Sequence, residues 1–204
     1  MGGARGCGPC PWPKRKRNRR LREIRRLLET LAADEVAVYE DEVDIHLNPK
    51  IGLDWMNRGQ QKQVVTPGQN EKRYLAGAMN ATTGLLTVVE GQRKNSWLFI
   101  TLLDALVEDY PDARRIHVIL DNYRIHDSKI TQLALGRHGG RIVLHFLPPY
   151  CPNENRIERL WQDLHAQVTR NHNCPTMKDL MHNVRCFLRR RSVRRSLKVR
   201  KLAA

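Results

Sequence analysis

The residues of this sequence whose types and spacing could do chemistry are acidic. They fall into three groups along the chain: Glu40, Asp41, Glu42 and Asp44; Asp121; and Glu154 with Glu158. Metal-assisted phosphodiester chemistry uses two hard cations roughly 4 Å apart, one activating the attacking oxygen and one stabilising the leaving oxygen. Carboxylates suit such cations, and their mutual repulsion is relieved when the cations bind. The acids therefore predict a centre for two Mg²⁺ or Mn²⁺ ions, provided that the fold brings them together.

The first acidic group follows a short apolar run, residues 36–39, which has the pattern of a β-strand. Two further β-type runs, 73–79 and 85–90, are separated by the turn-rich link 80–84. A short link of this kind predicts an antiparallel hairpin. The first half of the region is therefore expected to be three strands.

Strands and helices alternate in the second half. Apolar periodicity and stop signals predict a helix, a strand, a helix, a strand and a final helix, over residues 96–110, 115–120, 128–137, 142–147 and from about 157 onward. Ser96 is the expected cap of the first of these helices, and Asn153 or Asn155 of the last. The resulting order, βββαβαβα, is that of the RNase H-like fold. This is an α/β fold in which a mixed five-stranded sheet carries helices on both faces.

In an RNase H-like sheet the first and fourth strands are neighbours. Asp41 and Asp121 would then lie side by side, and Glu158 would reach them from the end of a helix. Each acid also has an ordinary structural interpretation, as a turn residue, a first-turn helix residue or part of a solvated loop. It is their joint arrangement that favours a three-carboxylate site.

Positive charge is concentrated at the two ends of the chain. The formal net charge is +15; residues 1–31 hold ten Lys or Arg and two Glu, and residues 182–204 hold nine basic side chains and no acidic one. Basic arms bind polyanions by releasing condensed counterions, although solvated tails are an equal alternative. A basic helix over 14–33 is expected to dock through its leucine stripe. The residues expected to contact DNA are Lys14, Arg15, Lys16, Arg17, Arg19, Arg20, Arg189, Arg190, Arg191, Arg194 and Arg195.

Four segments carry a resemblance to a known family. They are the pair Asp41 and Glu42 after an apolar strand, residues 55–59 (WMNRG), 120–126 (LDNYRIH) and 147–161 (LPPYCPNENRIERLW). Together they resemble the DDE domain of Tc/mariner-superfamily transposases, in the bacterial insertion-sequence branch, over about residues 35–170. Two positions depart from the family signature: Cys151 replaces Ser, and Arg156 replaces Pro and is expected to loosen the start of the last helix.

The resemblance implies metal-dependent DNA strand cleavage and strand transfer by a homodimer acting on element ends and target DNA. It implies Asp41, Asp121 and Glu158 as catalytic metal ligands, chosen over their acidic neighbours. It also places five residues near the site as supports: Glu42, Trp55, Arg58, Asn122 and His126.

Three regions are expected: a basic arm and linker helix (1–33), the catalytic domain (34–181) and a basic tail (182–204). Relatives carry helix-turn-helix modules ahead of the catalytic domain, and none fits into the residues before the first strand. The sequence is therefore expected to be a truncated or frame-split copy. Two alternatives remain: a catalytically unproductive DNA-binding remnant that regulates transposition, and a cellular RNase H-like nuclease.

Several classes of protein are disfavoured. The sequence has no apolar run of about 20 residues for a membrane helix and no secretory signal, so a cytoplasmic, nucleoid-associated protein is expected. Five cysteines at irregular spacing argue against a disulfide framework. Cys7 and Cys10 lack a second pair at zinc-ribbon spacing.

Overall fold

A computed structural model describes residues 12–60, 63–149, 151–192 and 199–201 of the chain. Cys7, Cys10, Arg194 and Arg195 lie outside the described residues. None of the helices in the described ranges is long and apolar enough to cross a membrane.

A mixed β-sheet forms the centre of the molecule. Its strands are β1 (Glu35–His46), β2 (Lys72–Asn80), β3 (Leu86–Gly91), β4 (Arg115–Leu120), β5 (Ile142–Phe146) and β6 (Val199–Lys201). They lie in the order β5-β4-β1-β2-β3-β6. The β2–β3 pair is antiparallel, which confirms the predicted hairpin, and β1 pairs in parallel with β4. The sheet has one more strand than predicted, because the short β6 adds in parallel to β3.

The first strand is much longer than the four residues predicted for it. Residues Val38 to His46 of β1 pair with β2 in one continuous antiparallel register. The acidic group therefore lies inside a central strand and not in a loop after it. Sequence reasoning ended the strand at Tyr39 because a run of acids has low β-propensity, but two neighbouring strands outweigh that preference.

Helices cover both faces of the sheet. They are α1 (Lys14–Glu29), α2 (Ser96–Asp109), α3 (Lys129–Arg137), α4 (Ile157–Leu164) and α5 (Met177–Arg191). One apolar core joins the sheet to α1, α4 and α5, and a second joins its other face to α2 and α3. The element order from β1 to α4 confirms the predicted βββαβαβα arrangement, with helices on both faces.

Helix α1 docks as predicted, through Leu21 and Ile24 of its apolar stripe, but it ends at Glu29 and not at residue 33. Helix α5 was not predicted. Its buried residues include Val184, Phe187 and Leu188, so the boundary expected at residue 181 falls inside a helix of the core. The predicted boundary followed the basic charge of residues 182–204, which conceals that the first ten of them belong to this helix.

The helix caps also differ from expectation. Asn95, not Ser96, caps α2 by accepting a hydrogen bond from the Leu98 amide. Neither expected asparagine caps α4, whose N-cap residue is Arg156. The Asn155 side chain instead donates a hydrogen bond to the Glu40 carbonyl of β1, so it connects the start of α4 to the sheet.

Candidate catalytic site

Asp41 and Glu158 line one open cleft between β1 and α4. Successive side chains of a strand point to opposite faces, and Asp41 lies on the face that α4 covers. Glu158 is in the first turn of α4, and Trp161 and His165 complete this side of the cleft. The strand and the helix thus bring together two carboxylates that are far apart in the sequence.

Asp121 joins this pair from the end of β4. Its Oδ1 accepts a hydrogen bond of 2.8 Å from the Tyr123 amide and lies 3.3 Å from Nε2 of His126. Burial acts to raise the pKa of Asp121, but the His126 and Tyr123 hydrogen bonds outweigh it and lower the pKa. The loop after β4 therefore holds Asp121 as an oriented carboxylate anion.

Glu158 interacts unfavourably with both of the other carboxylates. Burial, followed by the charges of Glu42 and Glu158, raises the pKa of Asp41 to about 7. Burial and the charge of Asp121 raise the pKa of Glu158. Like charges shift one another in this way only when they are close, so Glu158 lies near both Asp41 and Asp121.

These carboxylates fit a divalent cation. Asp41, Asp121 and Glu158 offer oxygen atoms only, which is the donor type that Mg²⁺ and Mn²⁺ prefer. Burial is the largest cause of the raised pKa of Asp41 and of Glu158, and the charge of a neighbouring carboxylate adds to it in each case. A cation bound between them would remove that repulsion.

A second acidic cluster lies on the opposite face of β1. Glu40 and Glu42 are buried beside His126, whose Nε2 is 3.8 Å from an oxygen of each. The ligand atoms of these three residues lie within 4.8 Å of one another. Neither carboxylate oxygen of Glu40 has a hydrogen-bond partner, and burial raises the pKa of Glu40 well above its usual value. Burial therefore favours the protonated form of Glu40 more than water does, and a sequence pattern does not show this.

The expected supporting residues separate into two sets. Asn122 donates a hydrogen bond to the Leu147 carbonyl, tying the end of β4 to the end of β5. His126 is buried next to Asp121, and its ring centroid lies 4.4 Å from the ring centroid of Phe99. Trp55 is 99% exposed and Arg58 is exposed, so the structure does not bring either of them to the carboxylates.

Glu154, the acidic neighbour of Glu158, faces away from the cleft. Its carboxylate lies 3.4 Å from Arg25 of α1. The structure thus places Glu158, and not Glu154, with Asp41.

Gly77 allows α4 to approach the sheet closely. It pairs with Asp41 across the β1–β2 ladder, and a Cβ atom built there would lie 2.7 Å from Cζ2 of Trp161 and 3.3 Å from Cδ1 of Ile157. Sequence reasoning missed Gly77, although an isolated glycine inside a strand is a signal of close approach.

Two further contacts anchor the start of α4. Asn155 donates a 2.8 Å hydrogen bond to the Glu40 carbonyl. Arg156 donates to the Ala81 carbonyl and lies over the Tyr39 ring, so the residue expected to loosen this helix is itself held by two contacts. No spacing in the sequence indicates these long-range partners.

The basic residues lie at the edges of the fold. Lys14, Arg15, Lys16 and Arg19 are exposed on α1, whereas Arg17 and Arg20 are half-buried, and Arg20 donates to the Phe146 carbonyl. Arg189, Arg190 and Arg191 are exposed at the end of α5, where Arg191 pairs with Asp163 at 2.7 Å.

The chain is similar to one protein family and to one curated protein. A family model described as DDE superfamily endonuclease matches residues 36–181. An insertion element IS630 uncharacterized 39 kDa protein of Shigella sonnei is 49% identical over 172 residues, covering 84% of this chain and 50% of that protein. The chain therefore spans about half the length of this relative.

Solved structures share the fold. The Mos1 mariner paired end complex with Mn matches with a TM-score of 0.62 at 16% identity, covering 94% of this chain and 61% of that one. The catalytic domain of the Mos1 mariner transposase matches with a TM-score of 0.52 at 14% identity, covering 90% of each chain. These matches confirm the predicted RNase H-like fold.

Proposed function

Because the chain belongs to the DDE superfamily endonucleases, we propose that it forms the catalytic domain of an insertion-sequence transposase, which cleaves DNA strands and joins them to target DNA. The observation that carries the proposal is that Glu158 of α4 lines one cleft with Asp41 of β1 and feels the charge of Asp121 at the end of β4. The IS630 relative supports the insertion-sequence assignment.

In this proposal Asp41, Asp121 and Glu158 are the catalytic metal ligands and hold two Mg²⁺ or Mn²⁺ ions. When bound, such ions activate the attacking oxygen and stabilise the leaving oxygen. The solved Mos1 complexes with Mn and with Mg support this choice of ion.

The protein's own contribution is positioning. The Tyr123 amide and His126 orient Asp121. Asn122 holds the end of β4 against β5, and the packing of α4 sets the height of Glu158 above the sheet. Because these contacts exist before DNA arrives, little reorganisation is required at the reacting phosphate.

DNA is the proposed partner. The exposed basic residues of α1 and of the end of α5 are proposed to hold the phosphate backbone, and such contacts position DNA without reading its sequence. The likeness to the Mos1 paired end and strand transfer complexes supports DNA as the ligand. A homodimer stays a prediction.

The test is Mg²⁺-dependent cleavage of a pre-nicked duplex by variants that keep side-chain shape. Asp41→Asn, Asp121→Asn and Glu158→Gln should each lose cleavage while retaining DNA binding, because the arms and not the acids hold phosphate. Glu154→Gln is the matched control and should cleave normally. Normal cleavage by Asp121→Asn would refute the proposed site, and loss of cleavage in Glu154→Gln alone would reassign the third ligand.

A further inference from the structure

Lys94 is a partly buried cation that lies beside the acidic residues of β1 and Asp121. It lies in the loop between β3 and α2, next to Asn95, which caps α2. Its Nζ is 3.4 Å from Oε2 of Glu42 and 4.8 Å from the centre of the Tyr123 ring. Its side chain is 28% exposed. The ammonium group is thus held between β1 and the loop that carries Asp121.

The charge of Lys94 acts on most of the surrounding acids. It interacts electrostatically with five carboxylates, on both faces of β1 and at the end of β4: Glu40, Asp41, Glu42, Asp44 and Asp121. One unit of positive charge cannot neutralise this group, but it lowers the repulsion among its members. The contact also gives the buried Glu42 carboxylate a cationic partner in addition to His126, and leaving such a group unpaired is costly.

We infer that Lys94 is a positioning residue that serves as the internal counter-cation of the carboxylate centre, stabilising it before a divalent ion binds and weakening the binding of that ion. The second effect follows from the first, since an ammonium group close to the carboxylates repels an incoming divalent cation. The inference rests on the proposed function, because it assumes that the carboxylates bind metal.

The experiment compares Lys94→Met with Arg93→Met in the full chain. Arg93 is the preceding residue, is exposed and undergoes the same change of charge, so it controls for the loss of a positive charge from this loop. Mn²⁺ affinity is measured by titration followed by electron paramagnetic resonance at about pH 8, where competition from protons is small. Thermal unfolding is followed with EDTA and with Mn²⁺.

Lys94→Met is expected to melt at a lower temperature than Arg93→Met in EDTA and to bind Mn²⁺ about tenfold more tightly than the wild type, from removal of one nearby charge. Lys94→Arg should restore both values, whereas Arg93→Met should leave Mn²⁺ affinity unchanged. A purely structural role for Lys94 would lower stability without tightening Mn²⁺ binding.

Unchanged or weaker Mn²⁺ binding in a folded Lys94→Met protein would overturn the inference while leaving the metal centre intact. Absence of Mn²⁺ binding by the wild type would overturn the metal centre itself, and the inference with it. If Lys94→Met does not fold, Lys94→Gln removes the charge but keeps a polar head group, and the same outcomes apply to it.

Discussion

Replacing Gly77 by alanine should separate the two halves of the catalytic site. The added Cβ would meet Cζ2 of Trp161 at 2.7 Å and Cη2 at 2.8 Å, where ordinary contacts are 3.4–4 Å. Trp161 is 4% exposed, so its ring has little room to turn away. We therefore expect α4, with Glu158 in its first turn, to move outward from Asp41 by about 1 Å, at the cost typical of an overpacked core.

The expected magnitudes follow from that displacement. Overpacking of a buried contact costs about 1–3 kcal/mol in the free energy of unfolding. For a domain of this size, this lowers the melting temperature by roughly 2–4 °C per kcal/mol. A displacement of about 1 Å of a catalytic group reduces turnover by about a hundredfold. Gly77→Ala should therefore lose far more cleavage activity than its loss of stability explains.

The assays are thermal unfolding and single-turnover cleavage of a pre-nicked duplex in Mg²⁺. Gly136→Ala is the control, because Gly136 lies in α3 and its added Cβ would meet nothing within 4 Å beyond its chain neighbours and the nearby backbone of its own helix. It should be as stable as the wild type or more stable by up to about 1 kcal/mol. Trp161→Phe removes the two clashing ring atoms, so the double variant should be more stable than the summed single effects by about 0.5–3 kcal/mol. A Gly77→Ala protein with unchanged melting temperature and full cleavage would refute this account.

Three further predictions concern pH, helix anchoring and DNA. In EDTA, the melting temperature should fall as pH rises from about 5 to 8. The folded state binds the Asp41 proton more tightly than the unfolded state does, because the folded-state pKa of Asp41 is about 7. The stabilisation from this proton is therefore present at low pH and lost as pH rises through 7. Asp41→Asn should flatten this dependence; an equal slope in that variant would assign it to other groups. Asn155→Ala should lower the free energy of unfolding by about 1–2 kcal/mol, because it deletes the hydrogen bond to the Glu40 carbonyl. Asn153 is exposed, so Asn153→Ala should leave the free energy of unfolding almost unchanged. Equal losses of stability in thermal melts would contradict the anchoring role of Asn155. Four exposed basic residues in the first half of α1 can be replaced by glutamine: Lys14, Arg15, Lys16 and Arg19. The slope of log Kd for a random duplex against log salt concentration should then fall by about 0.9 per lost phosphate contact. An unchanged slope would remove this half of α1 from the DNA interface.

The order of elements could be predicted from sequence, because it depends on local signals. Apolar runs ending at Asp121, the turn between β2 and β3 and the stop at Gly139 and Gly140 each act over a few residues. Once the order βββαβαβα is recognised, the neighbouring positions of β1 and β4 follow, and with them the expectation that Asp41 and Asp121 lie close together. The choice of Glu158 over Glu154 came only from the family resemblance.

Tertiary structure decided on which face of the sheet each acidic side chain lies. Pairing with β2 extends β1 through the acidic run, and the alternation of side chains then places Asp41 in the cleft and Glu40 and Glu42 on the opposite face. The approach of α4 over Gly77 and the contact of Lys94 with Glu42 join residues distant in sequence. Local propensity carries no information on such contacts, because their free energy comes from burial and charge pairing between elements, which exist only after the chain has folded.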